Sequence, residues 1–245
     1  MRCHLVNSGV AAEAEFSEAN VEEIFLPLLR ELTALRRTKG RRVLALLAAP
    51  PGAGKSTLAA LLERLSEGEG LEKLTALGMD GFHYRQEYLR AHVVAIDGET
   101  VSLAAVKGAP QTFDLAGLRD KLRQAAMGKP CRWPAYDRTL HDPVENAVAV
   151  EGEILLVEGN YLLLDEPGWR ELRNLADATI SIAADPAFLR ARLLARHVAL
   201  GRPEAEAAAF VDRSDMANVR LCLSKTLPAG LQLLLLPDGS YAKLR

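Results

Sequence analysis

The stretch Ala49-Pro50-Pro51-Gly52-Ala53-Gly54-Lys55-Ser56-Thr57 gathers two glycines, a lysine and two hydroxyls. Glycines at 52 and 54 let the backbone turn its amides toward an anion, and a helix opening at Lys55 adds positive potential. Gly52, Ala53 and Gly54 would thus cradle the β-phosphate of a nucleoside triphosphate. Lys55 would reach the β- and γ-phosphates, Ser56 would ligate magnesium, and Thr57 completes a Walker A pattern. That pattern has Gly at 49, where this chain has Ala, so the loop entrance must hold dihedrals that alanine accepts.

Two further motifs, Met79-Asp80-Gly81-Phe82-His83 and Leu156-Val157-Glu158-Gly159-Asn160-Tyr161, each close an apolar run with a carboxylate. Carboxyl ends of strands in an open parallel sheet face the ligand crevice. Asp80 is expected across the cleft from the phosphate loop, where a carboxylate can take the proton of an acceptor hydroxyl. Glu158 is expected near magnesium or its waters. Read alone, Asp80 is as well explained as a turn cap beside Gly81, and Glu158 as a structural strand end.

These residues need a scaffold, and the apolar pattern supplies one. Val43–Ala49 is too short and too uniformly apolar for an amphipathic helix and reads as a strand buried on both faces. Similar runs recur at Leu74–Met79, Ile154–Val157, Thr179–Ala183 and Leu231–Leu236. Helical stretches alternate with them at Lys55–Leu65, Leu115–Ala126, Trp169–Leu175, Pro186–Leu200 and Pro203–Leu223. The expected fold is α/β, a doubly wound parallel sheet of about five strands with flanking helices and a helical lid. A further helix from Asn20 to Arg37, with Pro27 as a point for a kink and Gly40 as its stop, should pack on the core. Pro237–Gly239 reads as a turn into a short terminal strand. The expected division is a helical extension over 1–40 and one domain over 41–245. An acceptor-side insertion falls at about 81–146, with a hairpin around Asp97-Gly98 and an irregular stretch over Gly128–Asn146.

With 49% apolar and 25% charged residues, the 245-residue chain has the balance of a soluble globular protein. A net charge of −2 gives no electrostatic reason to expect a nucleic-acid partner. Of the 30 cations 22 are arginine, which suits recognition of phosphate and carboxylate. Cys3, Cys131 and Cys222 lack metal or disulfide spacing and read as free thiols. No apolar run reaches the roughly 18 residues of a membrane span, and no signal peptide is apparent. A cytoplasmic protein is expected.

The motifs MDGFH, VEGNYLLL, KGAPQTFD (Lys107–Asp114) and PAYDRTLHDPV (Pro134–Val144) resemble the phosphoribulokinase/uridine kinase superfamily. The likeness is greatest to its bacterial nucleoside/nucleotide kinase-like subgroup, which includes fructose-transport-system kinases and lies close to pantothenate kinase. It runs from about Arg42 to about Leu223. It implies phosphoryl transfer from ATP, with magnesium, to a hydroxyl of a small metabolite. It also implies Asp80 as catalytic base, Glu158 as the acid near magnesium, and an acceptor segment holding Tyr136, Arg138 and His141, with His83 beside them. The stretch from Arg190 to Arg202 resembles a lid over about 188–203. Arg192 and Arg196 are i,i+4 neighbours that can neutralise a transferring phosphoryl group, and Arg202 can join on closure. Without the resemblance, the same arginines read as a solvated helix face.

A segment longer than usual, around AHVVAIDGETVSL, separates MDGFH from KGAPQTFD, so the acceptor cannot be inherited from relatives. A sugar or polyol suits a cleft of His, Arg, Asp and Gln, while nucleoside and pantothenate-type acceptors stay open. The competing classes are a P-loop ATPase driving a conformational step and a nucleotide-binding regulator. The expected partners are the small acceptor and, as one option, a second copy of the chain.

Overall fold

The computed structural model describes residues 2–7, 10–96 and 98–244, with the backbone alone for 2–13. Six strands form the central sheet: β1 (Val43–Ala48), β2 (Leu74–Gly78), β3 (Ile154–Gly159), β4 (Ala178–Ala184), β5 (Leu231–Leu235) and β6 (Tyr241–Lys243). They lie in the order β2-β3-β1-β4-β5-β6, parallel throughout except for the last pair. The sixth strand follows the turn at Pro237–Gly239, where Asp238 Oδ1 accepts the backbone N–H of Ser240 at 2.9 Å.

Seven α-helices of more than one turn among the described residues connect and flank the strands: α1 (Leu26–Lys39), α2 (Lys55–Leu65), α3 (Gln86–Ala91), α4 (Leu115–Ala126), α5 (Pro186–Ala199), α6 (Glu204–Phe210) and α7 (Met216–Lys225). Strand β1 is buried at every position, as its unbroken apolar run requires. Val43, Ala45 and Leu47 face a core closed by α1, α2 and α5. Leu44, Leu46 and Ala48 face a second core with α4, Tyr161 and Cys222 of α7. The sheet is therefore sandwiched between helical layers. Cys222 is buried and Cys131 half-buried, both free thiols; the side chain of Cys3 lies outside the described residues. No helix among the described residues is long and apolar enough to cross a membrane.

The structure corrects several details. Residues 2–7 and 10–15 pair as an antiparallel hairpin, so the 1–40 segment is helical only from Glu18. The helix expected from Asn20 contains a π turn at Val21–Phe25 just before Pro27. Proline has no N–H to return to the carbonyl four residues back, so the ladder is interrupted there. It ends as expected at Gly40, with φ +62°. The helix expected over Pro203–Leu223 is likewise split by a π turn at Val211–Asp215, and Arg170–Leu175 is a 3₁₀ helix.

The stretch expected to be irregular is instead an antiparallel hairpin, Arg132–Asp137 with Asp142–Ala149. The pairing steps from Trp133 opposite Val148 to Ala135 opposite Val144, leaving two extra residues on the second strand around Asn146 (φ +54°). Its pattern is hidden in sequence because this bulge breaks the alternation. Trp133 anchors it: the ring is fully buried and its Nε1 donates to the Gly78 carbonyl at 2.8 Å. A smaller hairpin pairs Val93–Ile96 with Glu99–Ser102, as expected around Gly98; Asp97 lies outside the described residues.

Gly81 marks where the large hairpin meets the turn after β2. A Cβ there would stand 2.2 Å from the Pro134 carbonyl oxygen, closer than any real contact. Gly81→Ala must therefore push the hairpin off the turn. Overpacking of this kind costs about 1–3 kcal/mol, and urea denaturation should show a lowered midpoint. An unchanged midpoint would mean that the hairpin does not pack on this turn.

Candidate active site

Strand register brings the chemistry to one edge of the sheet. Glu158 on β3 lies beside Leu47 of β1 and Gly78 of β2, whose chains then continue into the phosphate loop and into Asp80. Loop, Asp80 and Glu158 thus share the carboxyl end of three adjacent strands.

The loop geometry explains its sequence. Gly52 and Gly54 adopt φ of +83° and +77°. A Cβ on Gly52 would also stand 3.1 Å from Leu193 of α5, so this glycine serves both conformation and close packing. Ala53 turns its side chain fully into the core and offers only its backbone to the loop. Ala49 is buried, donates its N–H to Gly159 O at 3.3 Å and avoids positive φ. Alanine at the loop entrance is accommodated without strain.

A cleft of about 530 Å³ opens between the loop and α5, lined among others by Lys55, Ser56, Thr57, Arg192 and Arg196. Arg192 Nε donates to the Gly52 carbonyl at 2.8 Å, tying α5 to the loop. A second cavity of about 720 Å³ lies on the other side of Asp80, bounded by His83, Tyr136 and His141. Lys55, Asp80, Arg138 and Arg196 line both. The two spaces meet at these four side chains.

The charges at this junction are interdependent. Burial favours the neutral form of Asp80, but Lys55, Arg138 and Arg196 outweigh it and hold the carboxyl below its ordinary value. Glu158 is pushed the other way, by burial and by the neighbouring Asp80 charge, against the pull of Lys55 and a hydrogen bond with Ser56. Burial and the nearby Arg138 lower the pKa of Arg196, with Asp215 and Asp80 opposing. Among the described residues no cluster of three or more His, Cys, Asp or Glu side chains could hold a metal ion. The Ser56 hydroxyl and the Glu158 carboxylate form an all-oxygen pair, which fits magnesium completed by phosphate oxygens and water.

The acceptor-side residues form one connected wall. His83 stacks on Phe113 at 3.8 Å between centroids, and its Nδ1 lies 3.2 Å from the Thr112 carbonyl. The Tyr136 ring lies edge-on to His83, and its hydroxyl accepts from Lys107 Nζ at 2.7 Å. Burial pushes the Tyr136 phenol up to about 12. His141 keeps its side chain exposed at a φ of +57°, while its carbonyl accepts from Lys107 at 2.9 Å. Arg202 departs from expectation: it stacks on Phe210 at 4.4 Å and lines the acceptor cavity, not the phosphate cleft. It follows Gly201, which ends α5, and so leaves the face that carries Arg192 and Arg196.

Four groups in this wall have no role in the sequence reading. Lys107 stood inside a recognised motif without a role. Asn160 lies two residues beyond Glu158 and carries a buried Oδ1 with no hydrogen-bond partner among the described residues. Asp215 pairs with His197 at 2.8 Å, and Asn218 is buried beside Gly108. Their only sequence signal was proximity to motifs.

Comparison with known proteins follows from this geometry. A model of the phosphoribulokinase/uridine kinase family matches residues 44–202. The chain is 40% identical over 243 residues to "Uncharacterized protein YggC" of Escherichia coli (strain K12), covering 98% of both. It is 36% identical over 186 residues to "Putative uridine kinase C227.14" of Schizosaccharomyces pombe, covering 73% of this chain and 77% of the relative. Among solved structures, a "putative fructose transport system kinase from Silicibacter sp. TM1040" superposes with a TM-score of 0.71 at 32% identity, covering 82% of this chain and 98% of that one.

Burial lowers the pKa of His83 below its ordinary 6.5, so the native imidazole resists protonation while the unfolded one accepts it. Native stability should therefore fall as pH drops through 6.5, until pH passes below the folded value. Urea midpoints at pH 7.5 and 5.5 should show a smaller loss for His83→Gln than for the wild type. Equal losses would mean that His83 is protonated in the folded protein.

Proposed function

The chain belongs to the phosphoribulokinase/uridine kinase family, and we propose that it transfers the γ-phosphoryl group of ATP to a hydroxyl of a small metabolite. The observation that carries this reading is the junction at Lys55, Asp80, Arg138 and Arg196, which opens to a phosphate cleft on one side and an acceptor cavity on the other. An ATPase needs the first space but has no use for a second, walled by polar side chains.

In this reading the loop amides and Lys55 hold the β- and γ-phosphates. Ser56 and Glu158 would hold magnesium, which when bound adds positive charge at the phosphate oxygens. Asp80, kept ionised by its cationic neighbours, accepts the acceptor proton as the hydroxyl oxygen bonds to the γ-phosphorus and the bridge to ADP breaks. Arg196 and Arg138 answer the charge that spreads over the equatorial oxygens. Arg192 holds α5 against the loop. The buried Oδ1 of Asn160 gains a donor when a second acceptor hydroxyl arrives.

Residues 41–245 are assigned to the kinase domain, with 81–146 as its acceptor side and 188–203 as its lid. A sugar- or polyol-like acceptor is favoured over a nucleoside. One face of His83 is taken by Phe113, and the Tyr136 hydroxyl is engaged by Lys107, which leaves the wall fewer stacking faces than polar groups.

Asp80→Asn keeps the shape but cannot take the proton. Acceptor-dependent ADP formation should fall by about 10²–10⁴, with ATP affinity kept within a few-fold by fluorescence titration. Near wild-type transfer would remove the base role, and lost ATP binding would place Asp80 on the metal. Arg196→Ala should lower kcat far more than it raises the ATP KM. A pure KM effect in steady-state kinetics would make Arg196 a ground-state contact.

A further inference from the structure

We propose that the phosphoryl acceptor is itself an anion, with a hydroxyl at the Asp80 end of its cavity and a carboxylate or phosphate at the other end, held by Lys107 and Arg90. This rests on the kinase reading for the identity of the hydroxyl end; the charge at the far end stands on its own geometry.

The cavity has a direction. It starts at Asp80 and Lys55, passes His83 and Tyr136, and reaches Lys107 and Arg90. The order follows from contacts: His83 lies three residues beyond Asp80, Tyr136 sits edge-on to His83, and Lys107 bonds the Tyr136 hydroxyl. Lys107 and Arg90 line this cavity and not the phosphate cleft, so the phosphates of a nucleotide do not account for them.

The far end has more positive charge than its own carboxylates answer. Lys107 donates to Gln86 Oε1 at 2.8 Å, Tyr136 Oη at 2.7 Å and the His141 carbonyl at 2.9 Å. All three are neutral oxygens, which satisfy the ammonium hydrogens without cancelling the charge. Arg90, exposed on α3, has no ion-pair or hydrogen-bond partner among the described residues. The nearby carboxylate, Asp142, spends one oxygen on the Gln86 backbone N–H at 2.6 Å. Asp215, across the cavity, is paired with His197.

Two cations held in one polar cavity repel each other, and a neutral polyol gives nothing in return. The Arg90 fork can give charge-assisted hydrogen bonds to a carboxylate or a phosphate monoester alike. Lys107, its N–H groups already spent, adds attraction through its charge. Partial burial works against the ammonium form of Lys107, and Arg90 adds to that pressure while Asp142 opposes it. An anion between the two cations relieves both.

The test uses matched probes on the full-length protein: glycerol, glycerate and glycerol 3-phosphate; ribitol, ribonate and ribitol 5-phosphate; glucitol, gluconate and glucitol 6-phosphate. Uridine and pantothenate complete the panel. Binding in the presence of ADP is measured by calorimetry and thermal shift, and turnover by coupled ADP release. At least one carboxylate or phosphate member should bind about 10- to 100-fold more tightly than its neutral partner. The preferred member identifies which anion the site takes. Lys107→Met should erase that preference and leave the ATP KM unchanged. Arg90→Ala, at an exposed position, should weaken the same preference and guards against a Lys107 variant that fails to fold. Tighter binding of neutral polyols or uridine would overturn the proposal, as would no binding by any anionic probe. ADP release that no acceptor stimulates, with anion binding intact and sensitive to Lys107, would overturn the kinase reading alone.

Discussion

One buried carboxylate and one half-buried, both answered by one lysine, set the terms of this site. Asp80 and Glu158 stand at the ends of neighbouring strands, near enough that the Asp80 charge opposes ionisation of Glu158. Isolated buried charges would cost several kcal/mol each. Lys55 meets part of that cost, and Arg138 and Arg196 reach in from a hairpin and a helix to share it. The split in their behaviour follows, with Asp80 held ionised and Glu158 drawn toward its protonated form. A site so poised has one carboxylate ready to take a proton and another whose charge is restored by a cation.

The same balance explains why distant elements are needed. Arg138 is delivered by a hairpin that Trp133 pins to Gly78. Arg196 is delivered by α5, whose Leu193 packs on Gly52 and whose Arg192 bonds its carbonyl. The helix is thus coupled mechanically to the loop that would hold the phosphates. Interfaces packed this closely tend to shift as units, so occupancy of the loop and the position of Arg196 should move together.

What the sequence revealed follows from which features are local. The phosphate loop is a contiguous string between a buried strand and a helix, and its glycines declare the dihedrals found in the structure. Asp80 and Glu158 were legible because strand ends in a parallel sheet gather on one edge. Helical spacing put Arg192 and Arg196 on one face, but only the family resemblance marked that face as more than a solvated one. Arg202 was misplaced because that spacing stops at Gly201. The hairpin over 132–149 was missed because its bulge around Asn146 breaks the two-residue period of the second strand. Lys107, Asn160, Asp215 and Asn218 carry no local pattern. They reach one cavity from four elements, and only packing brings them together. The extra strand pairing at residues 2–15 was hidden for a similar reason, since its short segments alternate weakly.

In the proposed reaction the phosphoryl group crosses the junction at Lys55, Asp80, Arg138 and Arg196 to a small molecule and not to water. This transfer is tested most directly by following label from [γ-³²P]ATP with the wild-type protein, magnesium and a pool of small hydroxylated metabolites. Label should appear in an organic phosphate monoester, formed one-for-one with ADP and only when the pool is present. Label recovered solely as inorganic phosphate, at a rate the pool does not change, would contradict the transfer.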